Sequence, residues 1–369
     1  MFVRRVGNGA VGVAGSWTLI GEDLAPVGPV DGFLAHLSVV GRSPNTVKAY
    51  AYDLKDYWEF LRWRCLDWRE VRLEDLGEFV AWLRRPPETR CSPVVVLVSV
   101  PEHVGASTIN RKLAAVSAFY THQVRLGVDV GELLRTWAPG GQRGGWKPFL
   151  YHVSKSRPAA RRTISLRTDR KLPRVLTVEE IRTILCGCDR LRDRFLFALL
   201  YDSGMRVGEA LGLRHEDIAA AECQVTVVGR DNDNGARSKS RTERRVPVSP
   251  ALIRLWADYL SVEYGDLDSD YVFVNLFAEP RGRAMSYSAV YDLVVRLRER
   301  TGLDFDPHWF RHTMATRALV RGVPVEVVSK LLGHSSVATT SSVYGHVDVK
   351  AARAALEAAG WFTDTQVVW

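Results

Sequence analysis

The chain has 369 residues, a net charge of +8 and a pI of about 9.3, with 46% hydrophobic and 25% charged residues. This length accommodates two domains, and this composition excludes a disordered or fibrous protein. The apolar runs are far too short to cross a bilayer, so no transmembrane helix is expected. Five cysteines without a Cys-x-x-Cys pair argue against a disulfide framework or zinc knuckle and predict a reduced, cytoplasmic setting.

Residues 1–27 are predicted to form a loose N-terminal arm. Two arginines are followed by a glycine-rich stretch, and no continuous apolar segment is present. A secretory signal peptide requires such a segment, so this class of leader is not expected.

Residues 28–136 are predicted to form an all-helical domain. Ser43 followed by Pro44 is typical of a helix N-terminus, because serine caps the first turn and proline is tolerated at its first position. Apolar residues then recur at helical spacing from Tyr50 to Leu61, which indicates a buried face. A second helix is predicted from Leu73 to Leu83.

A third helix begins at Ser107, and its apolar positions again fall on one face. Arg111 and Lys112 lie off that face and are candidate DNA contacts. The preceding segment, residues 86–105, combines prolines with a β-prone run of valines. It interrupts the helical pattern and is predicted to be an insertion in the form of a hairpin.

Residues 137–171 are predicted to be a linker, because they are rich in Gly, Pro and Arg and have no clear period. The segment from Pro139 to Val175 contains ten Lys or Arg residues and one acidic residue, which gives it a local net charge of +9. Such a segment indicates a polyanionic partner, although it also suits a linker kept in solution by its charge. The candidate DNA contacts here are Lys147, Lys155, Arg157, Arg161 and Arg162.

Residues 172–359 are predicted to form a mainly helical domain with a small β-sheet, an α+β fold. Thr177-Val178-Glu179-Glu180 forms a capping box that begins its first helix. The remaining predicted helices span residues 193–201, 206–213, 250–264, 286–300, 307–320, 324–332 and 349–359, and the predicted strands span 224–228 and 245–248. Residues 360–369 form a tail that ends in apolar side chains.

Several side chains of this domain suit phosphodiester transfer, which needs a nucleophile, cations on the non-bridging oxygens and proton-transfer groups. Tyr344 is the candidate nucleophile, although a lone tyrosine is more often a half-buried aromatic. Arg206 and Arg311 can hold a phosphate by paired hydrogen bonds. The alternative role of each is that of a surface arginine whose side chain lies over a helix. Glu209 lies three residues after Arg206 and is placed to orient it.

His308 stands in a first helical turn, three residues before Arg311, and can exchange protons near neutral pH. Its alternative role is a capping or core histidine. Lys239 precedes a predicted strand and can protonate a departing 5′ oxygen or simply contact phosphate, with Arg241 beside it as a DNA contact. His334 can hydrogen-bond the phosphate or serve as a helix-terminal residue after Gly333.

These motifs occur in an order that closely resembles the tyrosine recombinase (phage integrase) family. The residues that carry the resemblance are Gly204-Met205-Arg206-Val207-Gly208-Glu209, the Arg244-Arg245-Val246-Pro247 strand, His308-x-x-Arg311-His312-Thr313, Leu332-Gly333-His334 and Tyr344-Gly345-His346. The resemblance covers residues 172–359 closely and the helical domain more loosely. Transposon-borne members are slightly favoured within the family.

The resemblance implies a SAM-like core-binding domain followed by a catalytic domain that together clamp double-stranded DNA. Arg206, Lys239, His308, Arg311 and His334 would activate the scissile phosphate, Tyr344 would form a 3′-phosphotyrosine link, and Glu209 would support Arg206. The reaction would need no metal or other cofactor. The resemblance further implies a tetramer on DNA, accessory DNA-bending partners, a bacterial nucleoid-associated location, and a tail, residues 360–369, that packs on a neighbouring protomer.

Two rival functions remain open from the sequence. A type IB-like topoisomerase would use the same tyrosyl chemistry without strand exchange. A DNA-binding regulator would have lost catalysis, against which stands the full set of candidate catalytic side chains.

Overall fold

A computed structural model describes residues 1–6, 16–90, 103–129, 164–167, 174–237, 243–333, 353 and 356–363, together with the backbone of 135–138 and 159–162. The chain separates into two compact units, Met1–Arg170 and Lys171–Trp369. Within the described part of the chain, none of the helices has the length and apolar character needed to span a membrane.

The N-terminal residues form a β-hairpin, so the prediction of a loose arm is wrong. Strand β1 (Phe2–Val6) pairs antiparallel with β2 (Ser16–Ile20), with Phe2 opposite Ile20. Leu19 is fully buried in the core of the first unit. Burial of the apolar end of β2 fixes the hairpin, and the sequence signal was the short run Trp17-Thr18-Leu19-Ile20.

The first unit is a helical bundle, as predicted. Its helices are α1 (Gly28–Val39), α2 (Pro44–Trp63), α3 (Leu73–Arg84) and α4 (Ala106–Arg125). Ser43 caps α2, since its hydroxyl accepts the Thr46 amide at 3.2 Å. Aromatic side chains fill the core, including Phe33, Tyr57, Phe79 and Phe119. A short 3-10 helix (Pro87–Thr89) follows α3, and the predicted hairpin of the insertion falls on residues outside the described ranges.

Lys112 does not lie on an exposed face of α4, contrary to expectation. Its ammonium is 3.2 Å from an oxygen of Asp53 and 2.5 Å from Asp56, and its side chain is 9% exposed. Arg111 also pairs with Asp53 at 2.5 Å, but 48% of its side chain remains exposed. A wholly buried aspartate on α2 thus draws Lys112 inward, because an uncompensated buried carboxylate is costly.

Part of the predicted linker has regular structure, which the sequence reasoning did not anticipate. Strand β3 (Arg135–Ala138) pairs antiparallel with β4 (Ala159–Arg162), with Arg135 opposite Arg162. Farther along, the side-chain amide of Asn110 donates to the Leu166 carbonyl and accepts its amide, both at 2.9 Å. Lys147, Lys155 and Arg157 lie outside the described residues.

The second unit is helical with a small three-stranded sheet, which confirms the predicted α+β class. Its helices are α5 (Val178–Cys186), α6 (Leu191–Ser203), α7 (Val207–Ala210), α8 (Pro250–Tyr259), α9 (Tyr287–Thr301), α10 (Pro307–Val320) and α11 (Val325–Leu332). A π-helical turn (Leu260–Tyr264) extends α8. The antiparallel sheet has the order β5 (Ile218–Ala219), β6 (Gln224–Val227), β7 (Arg244–Pro247).

Helix α6 runs through the middle of this unit, and its residues from Phe195 to Ser203 are all buried. Thr177 and Glu180 form the predicted capping box of α5. Helix α7 is shorter than predicted, because the chain forms a turn after Ala210. Gly212 in this turn packs closely against Asn232, and a Cβ on Gly212 would lie 2.7 Å from the side-chain nitrogen of Asn232. The short strand β5 was missed.

The start of the C-terminal tail packs on its own unit. Trp361–Thr363 form a 3-10 helix, Trp361 is 5% exposed, and its ring lies 5.6 Å from that of Tyr201. Val367 and Trp369, the residues of this tail that are predicted to dock on a neighbouring protomer, are not among these packed residues, so the docking stays a prediction. Residues 364–369, and most of the helix predicted over 349–359, lie outside the described ranges.

Candidate active site

Glu209 lies at the centre of a cluster of arginines in the second unit. Its side chain is completely buried, and its two oxygens bind the guanidinium groups of Arg206 and Arg244. Burial alone would raise the pKa of Glu209, but the hydrogen bonds and charges of Arg244 and Arg206 outweigh it and lower the pKa. The carboxylate is therefore ionised and locks the two arginines in place.

Arg206 is fixed at the N-terminus of the short helix α7. Its backbone amide donates to one oxygen of Glu209 at 2.9 Å, and its Nη1 donates to the other at 3.0 Å. The carboxylate thus binds both the backbone amide and the guanidinium of Arg206, an arrangement that the Arg-x-x-Glu spacing produces locally. About a fifth of the Arg206 side chain (22%) stays exposed, so the guanidinium can still meet a ligand.

Arg244, the first residue of β7, is a site residue that sequence reasoning missed. Its Nη1 and Nη2 lie 3.2 and 2.6 Å from the two oxygens of Glu209, and its Nε donates to the Leu331 carbonyl at 2.8 Å. The Arg-Arg-Val-Pro strand was noticed, but nothing in its spacing indicates which arginine turns inward. One side chain thus joins β7, α7 and the end of α11.

Arg311 on α10 is buried, with only 2% exposed. Its Nη1 donates to the Gly204 carbonyl at 2.7 Å and its Nη2 to the Leu332 carbonyl at 2.6 Å. Loss of hydration, together with repulsion by the charge of Arg206, lowers its pKa to about 10. Arg311 remains charged at neutral pH, and its hydrogen bond to the Gly204 carbonyl, two residues before Arg206, holds the two predicted arginines near each other.

His308 is the second residue of α10 and is exposed. The Asp306 side chain caps this turn by accepting the His308 amide at 2.7 Å. Partial loss of hydration, followed by the charges of His312 and Arg311, lowers the pKa of His308. The rings of His308 and His312 lie 4.5 Å apart, edge to face. His308 is therefore held neutral near physiological pH, the state in which an imidazole can accept a proton.

Two glycines shape this cluster. Gly204 ends α6 with φ of 65°, and a Cβ there would lie 2.9 Å from Leu332 and 3.1 Å from Met314. Gly333 ends α11 with φ of 61°, and a Cβ there would lie 2.9 Å from Nη1 of Arg244. Both positions need left-handed backbone and close approach, for which glycine is suited.

The structure brings together Arg206, Glu209, His308 and Arg311 of the predicted site, and adds Arg244. Lys239, Arg241, His334 and Tyr344 lie outside the described residues. The cluster carries three guanidinium charges against one carboxylate, an excess of positive charge that suits a phosphodiester anion. Such fixed cations can neutralise the charge that develops on non-bridging oxygens during displacement at phosphorus.

Both units of the chain match known protein-family profiles. Residues 174–351 match the profile of the phage integrase family, and residues 30–127 match the N-terminal SAM-like domain of phage integrases. The chain is 37% identical over 333 residues to transposase A from transposon Tn554 of Staphylococcus aureus, covering 90% of each protein. This chain is a tyrosine recombinase of the phage integrase family. The recombinase is also 29% identical to the tyrosine recombinase XerC of Herpetosiphon aurantiacus, over 85% of this chain and 89% of that protein.

Solved structures of similar fold include further members of this enzyme class. The Tn1549 transposon integrase, in complex with a circular intermediate DNA, superposes with a TM-score of 0.57 at 16% identity, covering 89% of this recombinase and 98% of that chain. A lambda integrase tetramer bound to a Holliday junction gives a TM-score of 0.53 at 16% identity, covering 84% and 77%. The recombinase therefore shares the fold of these integrases.

Proposed function

We propose that this recombinase moves a mobile element by cutting and rejoining double-stranded DNA through a 3′-phosphotyrosine bond at Tyr344. The observation that carries the proposal is the buried Glu209 carboxylate that fixes Arg206 and Arg244, with Arg311 close by. This arrangement presents several fixed positive charges to one anion. The name of the 37% identical relative, a transposase, supports transposition as the biological task.

The proposed reaction assigns one role to each side chain. The Tyr344 hydroxyl attacks phosphorus and gives up its proton to neutral His308, while Arg206 and Arg311 bind the non-bridging oxygens. The bond to the 5′ oxygen breaks, and Lys239 supplies the proton that this oxygen needs. His334 donates a hydrogen bond to the phosphate. A 5′ hydroxyl of a second strand then attacks the phosphotyrosine and restores a phosphodiester.

The same proposal extends to DNA binding and assembly. Arg111, Arg161, Arg162 and Arg241, together with Lys147, Lys155 and Arg157, would contact the phosphate backbone and confer a steep salt dependence. Lys112 is left out of this set because it is buried against Asp53. Strand exchange would take place in a tetramer, as supported by the lambda integrase tetramer on a Holliday junction, with accessory DNA-bending proteins, in the bacterial cytoplasm.

A covalent trap tests the proposal. The protein is incubated with nicked, fragmented DNA of its source organism in EDTA, the reaction is stopped with SDS, and protein-linked ends are sequenced. Adducts at a few sites that disappear in Tyr344→Phe are expected. Adducts scattered over the DNA would instead indicate a topoisomerase, and DNA binding without any adduct would indicate a regulator.

A further inference from the structure

Tyr287, the first residue of α9, contacts the turn that carries Arg206. A Cβ placed on Gly208 would lie 2.1 Å from the Tyr287 hydroxyl oxygen and 2.9 Å from the Arg237 carbonyl oxygen. The Tyr287 phenol thus lies directly against the backbone of Gly208. The phenol therefore occupies the space that any side chain at position 208 would need.

Gly208 is the second residue of α7, between Arg206 and Glu209. Amide groups in the first turn of a helix have no partner within the helix, so they bind side chains, water or ligands. The Glu209 carboxylate accepts the Arg206 amide at 2.9 Å, and the Tyr287 phenol packs against the Gly208 backbone. The turn is thus held on one side by its own glutamate and on the other by a phenol from α9.

The Tyr287 phenol is a neutral group packed against this turn. Its burial, together with the negative charge of Glu209, raises its pKa. The residue as a whole nevertheless remains 48% exposed, so its substitution leaves the core of the unit intact. An ionised tyrosine would be the nucleophilic form, and this environment opposes it.

We propose that Tyr287 is a positioning residue for Arg206, holding the α7 turn so that the Arg206 guanidinium meets a non-bridging phosphate oxygen. The inference rests on the proposed function, in which Arg206 neutralises that oxygen. It predicts that losing the Tyr287 hydroxyl slows the chemical step and leaves DNA affinity nearly unchanged.

The test compares two substrates at saturating DNA in single-turnover cleavage. One carries the natural scissile phosphodiester, and the other carries a methylphosphonate there, which lacks the negatively charged oxygen. Tyr287→Phe is expected to slow cleavage of the phosphodiester roughly 5- to 30-fold, as expected for the loss of one positioned group. On the methylphosphonate, the cleavage rate of Tyr287→Phe should lie within about 2-fold of wild type, because this substrate has no charged oxygen for Arg206 to neutralise.

Two controls frame this result. Arg206→Ala should show a larger defect on the phosphodiester and a small one on the methylphosphonate. Tyr291→Phe removes the same hydroxyl from a 66% exposed tyrosine one helical turn farther along α9, and it should cleave both substrates at the wild-type rate.

A second variant tests the contact from its other side. Gly208→Ala forces the phenol away and should reproduce the substrate pattern of Tyr287→Phe. The two defects should not multiply in the double variant, because they disrupt the same contact. Since Tyr287→Phe alone suffices for the substrate comparison, the test does not depend on Gly208→Ala folding.

The outcomes are separable. The positioning role is overturned if Tyr287→Phe cleaves at the wild-type rate. It is also overturned if Tyr287→Phe is equally slow on both substrates while Arg206→Ala recovers on the methylphosphonate. In either case the proposed function still stands. Failure of Arg206→Ala to recover on the methylphosphonate overturns the assigned role of Arg206 and the Tyr287 inference with it.

Discussion

Arg244 and Glu209 form a two-pronged ion pair in which Nη1 lies 3.2 Å from one carboxylate oxygen and Nη2 lies 2.6 Å from the other. The Glu209 side chain is wholly buried, and only 9% of the Arg244 side chain is exposed. Because Arg206 binds the same carboxylate, the pair couples a strand arginine to the arginine proposed to bind phosphate. Breaking it should therefore affect both folding and catalysis.

Arg244→Gln is expected to lower the free energy of unfolding by about 3 kcal/mol, since a buried carboxylate loses a guanidinium partner. Cleavage should fall at least 10-fold, because Glu209 then holds Arg206 less firmly. Urea denaturation and single-turnover cleavage measure the two effects. Arg245→Gln, at the exposed neighbouring position, is the matched control and should change stability by less than about 0.5 kcal/mol. Equal behaviour of the two variants would refute the importance of this ion pair.

His308 is expected to titrate below the ordinary histidine pKa of about 6.5. Because the fold disfavours its protonated form, the free energy of unfolding should decrease as the pH falls from about 6.5 through the folded-state pKa. Cleavage should decline over the same acidic range if neutral His308 accepts the tyrosine proton. An NMR titration of the imidazole resonances in the DNA-free protein gives the value directly.

His312 provides a check on the cause of that shift. His312→Asn removes the imidazole next to His308 while leaving Arg311, Arg206 and Asp306 in place, so the pKa of His308 should move upward. An unchanged His308 titration in this variant would show that His312 contributes nothing to the shift.

Gly204→Ala is expected to lower the free energy of unfolding by about 2–4 kcal/mol, combining left-handed strain with crowding against Leu332 and Met314. The Gly204 carbonyl also accepts Arg311, so cleavage should fall as well. Gly302→Ala isolates the strain, because Gly302 has a similar φ of 69° and no heavy atom within 4 Å of the added Cβ. Its cost should be about 1–2 kcal/mol with cleavage retained. Similar losses in the two variants would contradict the packing argument.

Arg111 and Lys112 both pair with the buried Asp53 but are expected to differ in their contribution to DNA binding. Arg111→Ala should weaken DNA binding and reduce the slope of log affinity against log salt by about 1. Lys112→Met should leave that slope unchanged and lower the free energy of unfolding by about 3 kcal/mol, since Asp53 is fully buried beside it. Salt-dependent binding assays measure the slope, and urea denaturation measures the stability. A reduced slope for Lys112→Met would show that Lys112 contacts DNA.

Deletion of residues 364–369 tests the tail while keeping the buried Trp361. Cleavage and tetramer formation should both weaken if these residues dock on a neighbouring protomer, whereas the free energy of unfolding should not change. Deletion from Gly360 is a poorer test, because it also removes the buried Trp361. Sedimentation on DNA measures assembly, and full assembly of the shorter chain would exclude docking.

Local patterns in the sequence predicted much of this molecule. Apolar periodicity and capping residues gave helix α10 at its observed bounds and placed the starts of α2 and α5 correctly. The Arg-x-x-Glu spacing gave the Arg206–Glu209 pair, because residues three apart on a helix share a face. These features depend on neighbours along the chain, which a single sequence displays directly.

Other features depend on contacts between distant segments. The sequence alone determined the enzyme family and the order of its motifs. This is because each short motif specifies its own turns and helix caps through residues that are neighbours along the chain. The tertiary structure decided that Arg244 turns inward to Glu209, that Lys112 is drawn to Asp53, and that Tyr287 meets Gly208. The physical reason is that a buried charge or amide must find a partner, and only the packed fold determines which distant side chain lies within reach.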